Sequence, residues 1–180
     1  MRLTSYTDYA LRLLMYLALK DEGLATIAEV ADTYGISKNH LMKVAHQLGV
    51  AGYVETVRGR SGGLRLAKPA KAIGLGEIVR LTEPDMALVP CFKPGDASCV
   101  IVKCCTLKSV LEKARVAFID VIDGYTLSDR VKPRERMQGL LSLGAPAGLG
   151  PTPWSTVQRS GRQNIHARRH KKIGRRTKSA

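Results

Sequence analysis

The chain has 180 residues, enough for one domain with a hydrophobic core and too few for two comfortable ones. Lysine and arginine number 29 against 15 acidic residues, and the resulting formal net charge of +14 indicates a polyanionic partner. No apolar run reaches about 18 residues and no export signal precedes the first helix, so the sequence argues against a membrane protein and favours a cytoplasmic one.

The first predicted element is a helix over residues 5–20, a stretch of strong helix formers without a breaker. Ser5 or Thr7 is expected to cap its N-terminus. Its apolar residues cover most of the circumference, so we expect the helix to pack against its own domain and also against a partner. Asp8 lies in the first turn, where a carboxylate interacts favourably with the helix dipole.

Two shorter helices follow, separated by a turn. The first covers residues 26–34, with Thr26 and Glu29 in the positions of a capping box and Gly35 at its end. The next begins at Ser37, and its apolar residues recur at the spacing of one buried stripe: Leu41, Val44, Ala45 and Leu48. A helix, a glycine-containing turn and a second helix predict a helix-turn-helix unit.

The opposite face of this third helix is polar and basic. It carries Lys38, Asn39, Met42, Lys43 and His46. Asparagine can pair with adenine through two hydrogen bonds, and lysine can reach guanine or a phosphate. A short basic helix is also compatible with a plain solvated surface, so the interpretation depends on the segment that follows.

That segment predicts a basic hairpin. Residues 54–57 and 64–66 alternate in polarity, and the tip between them is rich in arginine and glycine. A phosphate-cradling nucleotide loop is disfavoured because no Gly-Lys-Ser/Thr sequence follows. A helix-turn-helix followed by a basic hairpin is a winged helix, which binds double-stranded DNA through the major groove and, with the wing, through the backbone or minor groove. The predicted contact residues are Ser37, Lys38, Asn39, His40, Met42, Lys43, Arg58, Arg60 and Ser61.

After a short helix predicted over residues 74–83, one stretch contains all four cysteines of the chain: Cys91, Cys99, Cys104 and Cys105. Turn residues among them allow several thiolates to face one centre. Seven residues separate Cys91 from Cys99 and five separate Cys99 from Cys105, which is looser than the pairs of zinc sites and favours an iron–sulfur cluster. Zinc and then a disulfide framework are the alternatives. Neighbouring side chains diverge, so one of Cys104 and Cys105 is expected to be a spare thiol.

A long helix is predicted over residues 107–125. Its apolar residues recur at alternating spacings of four and three, as in a heptad seam: Leu107, Leu111, Ala114, Phe118, Val121 and Tyr125. This seam is long enough to pair with its copy, so we expect a homodimer that reads a palindromic operator. Packing of the same helix on its own domain is the alternative, and both arrangements are compatible.

The excess of positive charge lies in the C-terminal segment. Residues 1–130 hold 17 lysines and arginines against 14 acidic residues, whereas residues 131–180 hold 12 against one. We expect residues 131–180 to be disordered. This tail either adds unspecific affinity for DNA through counterion release or is a sequence accident, such as a shifted reading frame.

Four motifs resemble the winged-helix iron–sulfur transcription regulators, and in particular the nitric-oxide-sensing members of that family. They are the N-terminal stretch 1–12, the wing sequence 55–63, the pattern Cys99-x-Ile101 with Cys105-x-Leu107, and Tyr125-Thr-Leu-Ser-Asp129. The resemblance covers residues 1 to about 130.

This resemblance implies a homodimeric repressor of nitric-oxide detoxification genes. It implies an iron–sulfur cluster bound by Cys91, Cys99 and Cys105, with Asp8 of the partner subunit as a fourth, oxygen ligand. A [4Fe-4S] cluster is favoured, and a [2Fe-2S] cluster is the alternative. The alternative is an iron-responsive or cluster-status regulator of the RirA or IscR type. The IscR type has a histidine at the position of Lys108, and the RirA type typically has asparagine at the position of Asp8.

The sequence as a whole predicts a mainly α-helical fold with a small β-hairpin wing. Its parts are a winged helix-turn-helix (1–83), a cluster loop (84–106), a dimerisation helix (107–130) and the basic tail (131–180). An enzyme is not expected, because no Ser/His/acid or paired-carboxylate arrangement stands out. A protein whose cluster serves electron transfer is the remaining alternative, and it leaves the helix-turn-helix and the wing unexplained.

Overall fold

The computed structural model describes residues 2–20, 23–93, 95, 99–141 and 143. In chain order its elements are α1 (Ser5–Leu19), α2 (Ile27–Tyr34), α3 (Lys38–Val50), β1 (Val54–Val57), β2 (Gly63–Leu66), α4 (Leu75–Thr82), α5 (Thr106–Asp123), α6 (Leu127–Arg130) and α7 (Arg134–Leu140). Short 3₁₀ turns lie at Ala70–Ala72 and Pro90–Phe92. The predicted fold class, mainly helical with one hairpin, is confirmed. Within the described residues, no helix has both the length and the apolar character needed to cross a membrane.

Helix α1 forms the centre of the hydrophobic core. Leu13 and Leu14 are completely buried, and the helix packs against α3, α4, α6 and β2. Its N-cap is Thr4, whose side chain accepts a hydrogen bond from the Thr7 backbone, so the expectation that Ser5 or Thr7 caps the helix was wrong. Thr7 is fully buried instead, because it lies on the face of α1 that contacts α4.

The helix-turn-helix unit forms as the sequence predicts. Thr26 and Glu29 make a reciprocal capping box at the start of α2, and Gly35 ends this helix at φ = 65°. The apolar stripe of α3 faces the core, and its four members are buried: Leu41, Val44, Ala45 and Leu48. The polar face of α3 therefore points outward.

The wing is an antiparallel hairpin in which Val54 pairs with Leu66 and Val57 pairs with Gly63. Backbone hydrogen bonds between Ala25 and Leu64 attach β2 to the segment before α2. The tip between the strands needs glycine at two points. Gly59 has φ = 118°, and a Cβ added at Gly62 would lie 2.3 Å from the carbonyl oxygen of Val57.

Helix α5 contacts α4, but it contains no buried residue. Two members of the predicted seam, Leu111 and Phe118, are half-buried against their own chain. The apolar stripe that remains exposed recurs at spacings of three and four: Leu107, Val110, Ala114, Ala117 and Val121. Part of the apolar surface of α5 is thus used within the chain, which is the arrangement that the sequence leaves open beside the dimer, while Leu107, Ala114 and Val121 of the predicted seam stay exposed.

The ordered chain continues beyond residue 131, into the segment for which the sequence predicts disorder. In α7, the Arg134 guanidinium donates to the carbonyl oxygens of Ala18 and Leu19 at 2.8 and 3.3 Å, and the Gln138 amide donates to Leu19 at 2.7 Å. These contacts satisfy carbonyl groups that the end of α1 leaves without helical partners. Residues 144–180, and with them most of the basic tail, lie outside the described residues.

Candidate metal centre and nucleic-acid interface

The outer face of α3 is a continuous polar surface. The predicted contact residues at its start and along this face are all exposed: Ser37, Lys38, Asn39, His40, Met42 and Lys43, together with His46. Ser37 occupies the N-cap position, but its side chain makes no capping hydrogen bond. Because the opposite stripe fixes α3 to the core, these side chains project from a rigid helix.

The first turns of α1 lie behind α3. The Tyr6 hydroxyl donates to the backbone carbonyl of Lys43 at 3.1 Å. The ring of Tyr9 stacks on His40, with centroids 6.3 Å apart and an angle of 22° between the planes. The position of α1 therefore affects the position of α3, and a displacement of the first turn of α1 would also shift the exposed face of α3.

The wing tip carries basic residues on the surface of the molecule. Arg58, Arg60 and Ser61 are exposed, as the sequence predicts. Arg65 instead forms two hydrogen bonds across the hairpin to Glu55, at 2.9 and 3.1 Å, and this partner lowers the pKa of the Glu55 carboxyl. Arg65 is therefore paired within the hairpin, whereas Arg58 and Arg60 at the tip point toward solvent.

All four cysteines are free thiols, which argues against the disulfide alternative. Cys91 lies in the turn Pro90–Phe92 and is partly buried, and Cys105, also partly buried, occupies the N-cap position of α5. Cys99 and Cys104 are exposed, and the Cys104 thiol contacts the carbonyl oxygen of Ile101 at 3.5 Å. Free and accessible thiols are suitable donors for a soft metal centre.

The candidate metal ligands lie apart in the described residues. In the part of the chain that the structure describes, no three side chains among His, Cys, Asp and Glu come close enough together to hold a metal ion. Cys105 lines an open cleft of about 780 Å³ between the segment after α4 and α5, with Phe92, Lys93 and Glu112 among its neighbours. The thiols are donors that fit a cluster, but within the described residues they do not converge on one point.

Asp8 is available on the surface of α1, apart from the cysteines of its own chain. Its carboxylate accepts a hydrogen bond from Arg12 at 2.9 Å, and its side chain is 47% exposed. The Arg12 guanidinium also lies over the Tyr34 ring, 5.6 Å from its centroid. Burial raises the pKa of Tyr34 to about 12, against the opposing effect of Arg12, so this ring is neutral at physiological pH.

Helix α4 connects the parts that carry these candidate residues. It contacts α3 through a hydrogen bond from the Gln47 amide to the Leu81 carbonyl at 2.9 Å, and the base of the hairpin through the Tyr53 hydroxyl and Glu77 at 3.0 Å. An ion pair between Arg80 and Asp123 joins it to the end of α5. At its C-terminal end, α4 contacts the first turn of α1.

Sequence reasoning missed the side chains that link these elements. Tyr6 and Tyr9 were included only as part of a helical stretch, and Glu83 only as the end of a short helix. Nothing in the sequence pairs Glu83 with the first turn of α1, because the two are separated by more than 70 residues. The one available signal was the density of apolar residues in α1, which predicts that this helix has more than one neighbour.

Comparison with known proteins agrees with this architecture. The profile of the Rrf2 family, described as an iron-dependent transcriptional regulator, matches residues 3–133. The chain is 50% identical over 143 residues to an HTH-type transcriptional regulator NsrR of Bacillus licheniformis, covering 79% of this chain and 100% of the relative. It is 51% identical over 144 residues to the NsrR of Bacillus subtilis, covering 79% and 99% of the two chains.

Solved structures show the same fold. The oxidized form of Staphylococcus aureus CymR matches with a TM-score of 0.60 and 28% identity, over 73% of this chain and 97% of that one. The structure of T. potens IscR matches with a TM-score of 0.61 and 27% identity, over 77% and 91% of the two chains. The winged helix, the family profile and the full-length relatives agree: the chain is a DNA-binding transcriptional regulator, not an enzyme, and belongs to the Rrf2 family.

Proposed function

We propose that this protein is a repressor that senses nitric oxide through an iron–sulfur cluster and then releases the promoters of nitric-oxide detoxification genes. The observation that carries the proposal is the position of four free, accessible thiols in one segment between the winged helix and α5. Relatives that are about half identical to this chain and carry the name NsrR support it. So does the resemblance of the cysteine and N-terminal motifs to nitric-oxide-sensing regulators.

Three thiolates and one carboxylate would hold the cluster. In this proposal the ligands are Cys91, Cys99 and Cys105 of one chain and Asp8 of the partner subunit, while Cys104 remains a spare thiol. A carboxylate is a weaker partner than a thiolate for a soft metal, so the fourth position is the most easily exchanged. When bound, the cluster would supply iron atoms that react with nitric oxide.

Two features support a homodimer. The exposed stripe on α5 repeats with the spacing of a coiled-coil seam, and an apolar surface of this kind favours pairing with a second copy. An oxygen ligand from the partner subunit would join the second copy to the cluster as well. Two winged helices in a symmetric dimer would then read a palindromic operator.

The route from the metal centre to DNA lies in α1. Asp8 is in the first turn of this helix, between Tyr6 and Tyr9, which contact α3 at Lys43 and His40. A change in where the Asp8 carboxylate is held therefore changes where the first turn of α1 lies. Because both tyrosines contact α3, the DNA-facing surface would shift with it, and the two recognition helices would no longer match the half-site spacing.

An anaerobic titration tests the proposal. The full chain is purified without oxygen, and its visible absorption and its binding to a palindromic operator from a nitric-oxide detoxification promoter are followed together as nitric oxide is added. We expect a brown protein whose operator binding is lost within a few equivalents of nitric oxide. Binding that persists after the absorption has changed would contradict the proposal.

A regulator that responds to iron supply is the second candidate, and the description of the family as iron-dependent favours it. The same preparation distinguishes the two functions. If operator binding ignores nitric oxide and falls when a chelator withdraws iron, the iron-responsive function takes the place of nitric-oxide sensing. If nitric oxide abolishes operator binding before any iron leaves the protein, the first candidate is supported.

A further inference from the structure

One carboxylate joins the first turn of α1 to the end of α4. The Oε1 atom of Glu83 accepts hydrogen bonds from the Thr4 backbone at 2.8 Å, the Thr4 hydroxyl at 3.1 Å and the Thr7 hydroxyl at 2.5 Å. The hydroxyl of Thr82 donates to that of Thr7 at 2.9 Å, and both of these residues are buried. Hydrogen bonds to an ionised acceptor are stronger than neutral ones, and here they are partly shielded from water.

Glu83 lies where α4 ends and the segment that leads to the cysteines begins. Glu83 is the C-cap of α4, and Pro84 disfavours a helical conformation at the residue before it, so the segment that leads to the cysteines begins here. On the other side of the contact, Thr4 is the N-cap of α1, and its carbonyl accepts from the Asp8 backbone at 3.1 Å. Glu83 therefore fixes the backbone around Asp8 relative to the start of the cysteine segment.

We propose that Glu83 is a positioning residue for the metal centre, which holds the first turn of α1 and with it Asp8. This inference rests on the proposed function, because it takes Asp8 as a ligand in the cluster of the partner subunit. Each α1 then has two attachments, one to its own α4 through Glu83 and one to the partner's cluster through Asp8. When a cluster binds at one site, it would hold Asp8 of the partner subunit. Through α1 and Glu83 of that subunit it would then affect the segment that leads to the cysteines of the second site.

Hydrogen exchange of the cluster-free full chain tests the geometric part of the proposal. Glu83→Gln keeps the shape of the side chain but removes the charge that binds three donors. We expect exchange in peptides covering residues 3–10 to accelerate about tenfold, while peptides of α2 and α3 are unchanged. Glu135→Gln, the same substitution at an exposed position of α7, is the matched control and leaves both regions unchanged. Unaltered exchange at residues 3–10 in Glu83→Gln would overturn the proposal.

A double-mutant comparison tests the link to Asp8. The rate at which a chelator removes iron from the reconstituted protein is measured for Asp8→Ala, for Glu83→Gln and for the double variant. We expect Glu83→Gln to accelerate iron loss about tenfold, as for other residues that orient metal ligands, and to have no further effect in the Asp8→Ala background. Effects that multiply in the double variant would show that Glu83 acts independently of Asp8 and would overturn the positioning role.

Failure of the proposed function gives a different result from failure of this inference. If the wild-type chain binds no cluster, or if Asp8→Ala leaves iron loss unchanged, the proposed ligand set is wrong, and the exchange measurement still decides whether Glu83 holds α1. If Glu83→Gln does not fold, Thr7→Val removes one of the three donors at similar volume. We then expect the same change in exchange at residues 3–10, of smaller size, and its absence would contradict the proposal.

Discussion

Two regions of the chain differ in how they are stabilised. Residues 2–82 contain nearly all of the buried side chains, including the interiors of α1, α3 and α4. In the described part of residues 83–126, by contrast, no side chain is buried, although this region includes the long helix α5. The first region therefore forms most of the core, to which Leu127 of α6 also contributes, whereas the second exposes the thiols and the apolar stripe that the proposed cluster and second copy would cover.

Because of this difference, we expect the two regions to respond differently when a metal or a partner binds. The winged helix can keep its shape whether or not a metal is bound, because its core does not depend on the cysteines. The region with the cysteines and α5 would change when a cluster or a partner binds, because little within the chain holds it in place. Helix α4 lies between them and contacts both, through Gln47 and Tyr53 on one side and Asp123 on the other.

The largest expected effect is a loss of cluster binding that leaves the stability of the cluster-free protein unchanged. Cys105→Ala should abolish cluster binding, seen as loss of the visible absorption after anaerobic reconstitution, because one of three thiolate ligands is missing. The melting temperature of the cluster-free protein should stay within a few degrees of wild type. Cys104→Ala is the matched control and should retain the absorption. If Cys104→Ala loses the absorption and Cys105→Ala keeps it, the assignment of the two thiols is reversed.

A substitution in the core should instead lower the stability of the cluster-free protein. Leu14→Ala removes a completely buried side chain from the centre of α1 and should destabilise the cluster-free protein by about 2–5 kcal/mol in chemical denaturation. Val100→Ala, at a side chain that is 97% exposed in the second region, should change stability by no more than about 0.5 kcal/mol. Equal effects of the two substitutions would contradict the division into regions.

The apolar stripe of α5 can be tested by one charge. Val110→Asp places a carboxylate on the exposed stripe and should shift the protein from dimer to monomer in light scattering, with operator binding weakened by more than about tenfold. Val116→Asp introduces the same charge on another side of the same helix and should leave the dimer intact. A dimer that tolerates Val110→Asp would show that this stripe is not the interface.

A smaller effect is expected at the wing. If exposed Arg58 contacts the DNA backbone, as the sequence predicts, Arg58→Ala should weaken operator binding about tenfold and reduce the salt dependence of binding by about one counterion. Lys113→Ala, which removes a positive charge from α5, should change neither quantity. Unchanged salt dependence in Arg58→Ala would mean that the wing tip does not reach a phosphate.

The smallest expected effect concerns pH. Burial alone would raise the pKa of Glu29, but hydrogen bonds from Lys20 and Tyr16 lower it overall. A carboxyl whose pKa is lowered on folding adds stability above its unfolded pKa and loses it as the pH falls through the folded value. Glu29→Gln should therefore cost about 1 kcal/mol or less at pH 7, with the difference from wild type vanishing at acid pH. A difference that persists at pH 3 would contradict this origin.

Prediction from the sequence was more accurate in the first region than in the second. In the first region local rules agree with the structure, as in the capping box of Thr26 and Glu29 and the buried stripe of α3. The N-cap of α1 was misplaced because Thr4 is selected by a contact with Glu83, which no local rule contains. In the second region the apolar pattern predicted α5, and it left open that part of this surface packs on the same chain, as Leu111 and Phe118 do. The candidate ligands could be recognised only by residue type, because no local rule gives the path of the chain between Cys91, Cys99 and Cys105.

Mixed dimers test most directly the claim that the second region is completed by a partner. An Asp8→Ala chain and a Cys105→Ala chain, carrying different tags, are purified together as a mixed dimer and reconstituted without oxygen. If the carboxylate acts across subunits, one of the two sites has both an intact cysteine set and Asp8 of the partner subunit. We expect one cluster per mixed dimer, lost to a chelator at the wild-type rate. Iron loss as fast as in the Asp8→Ala homodimer would contradict it.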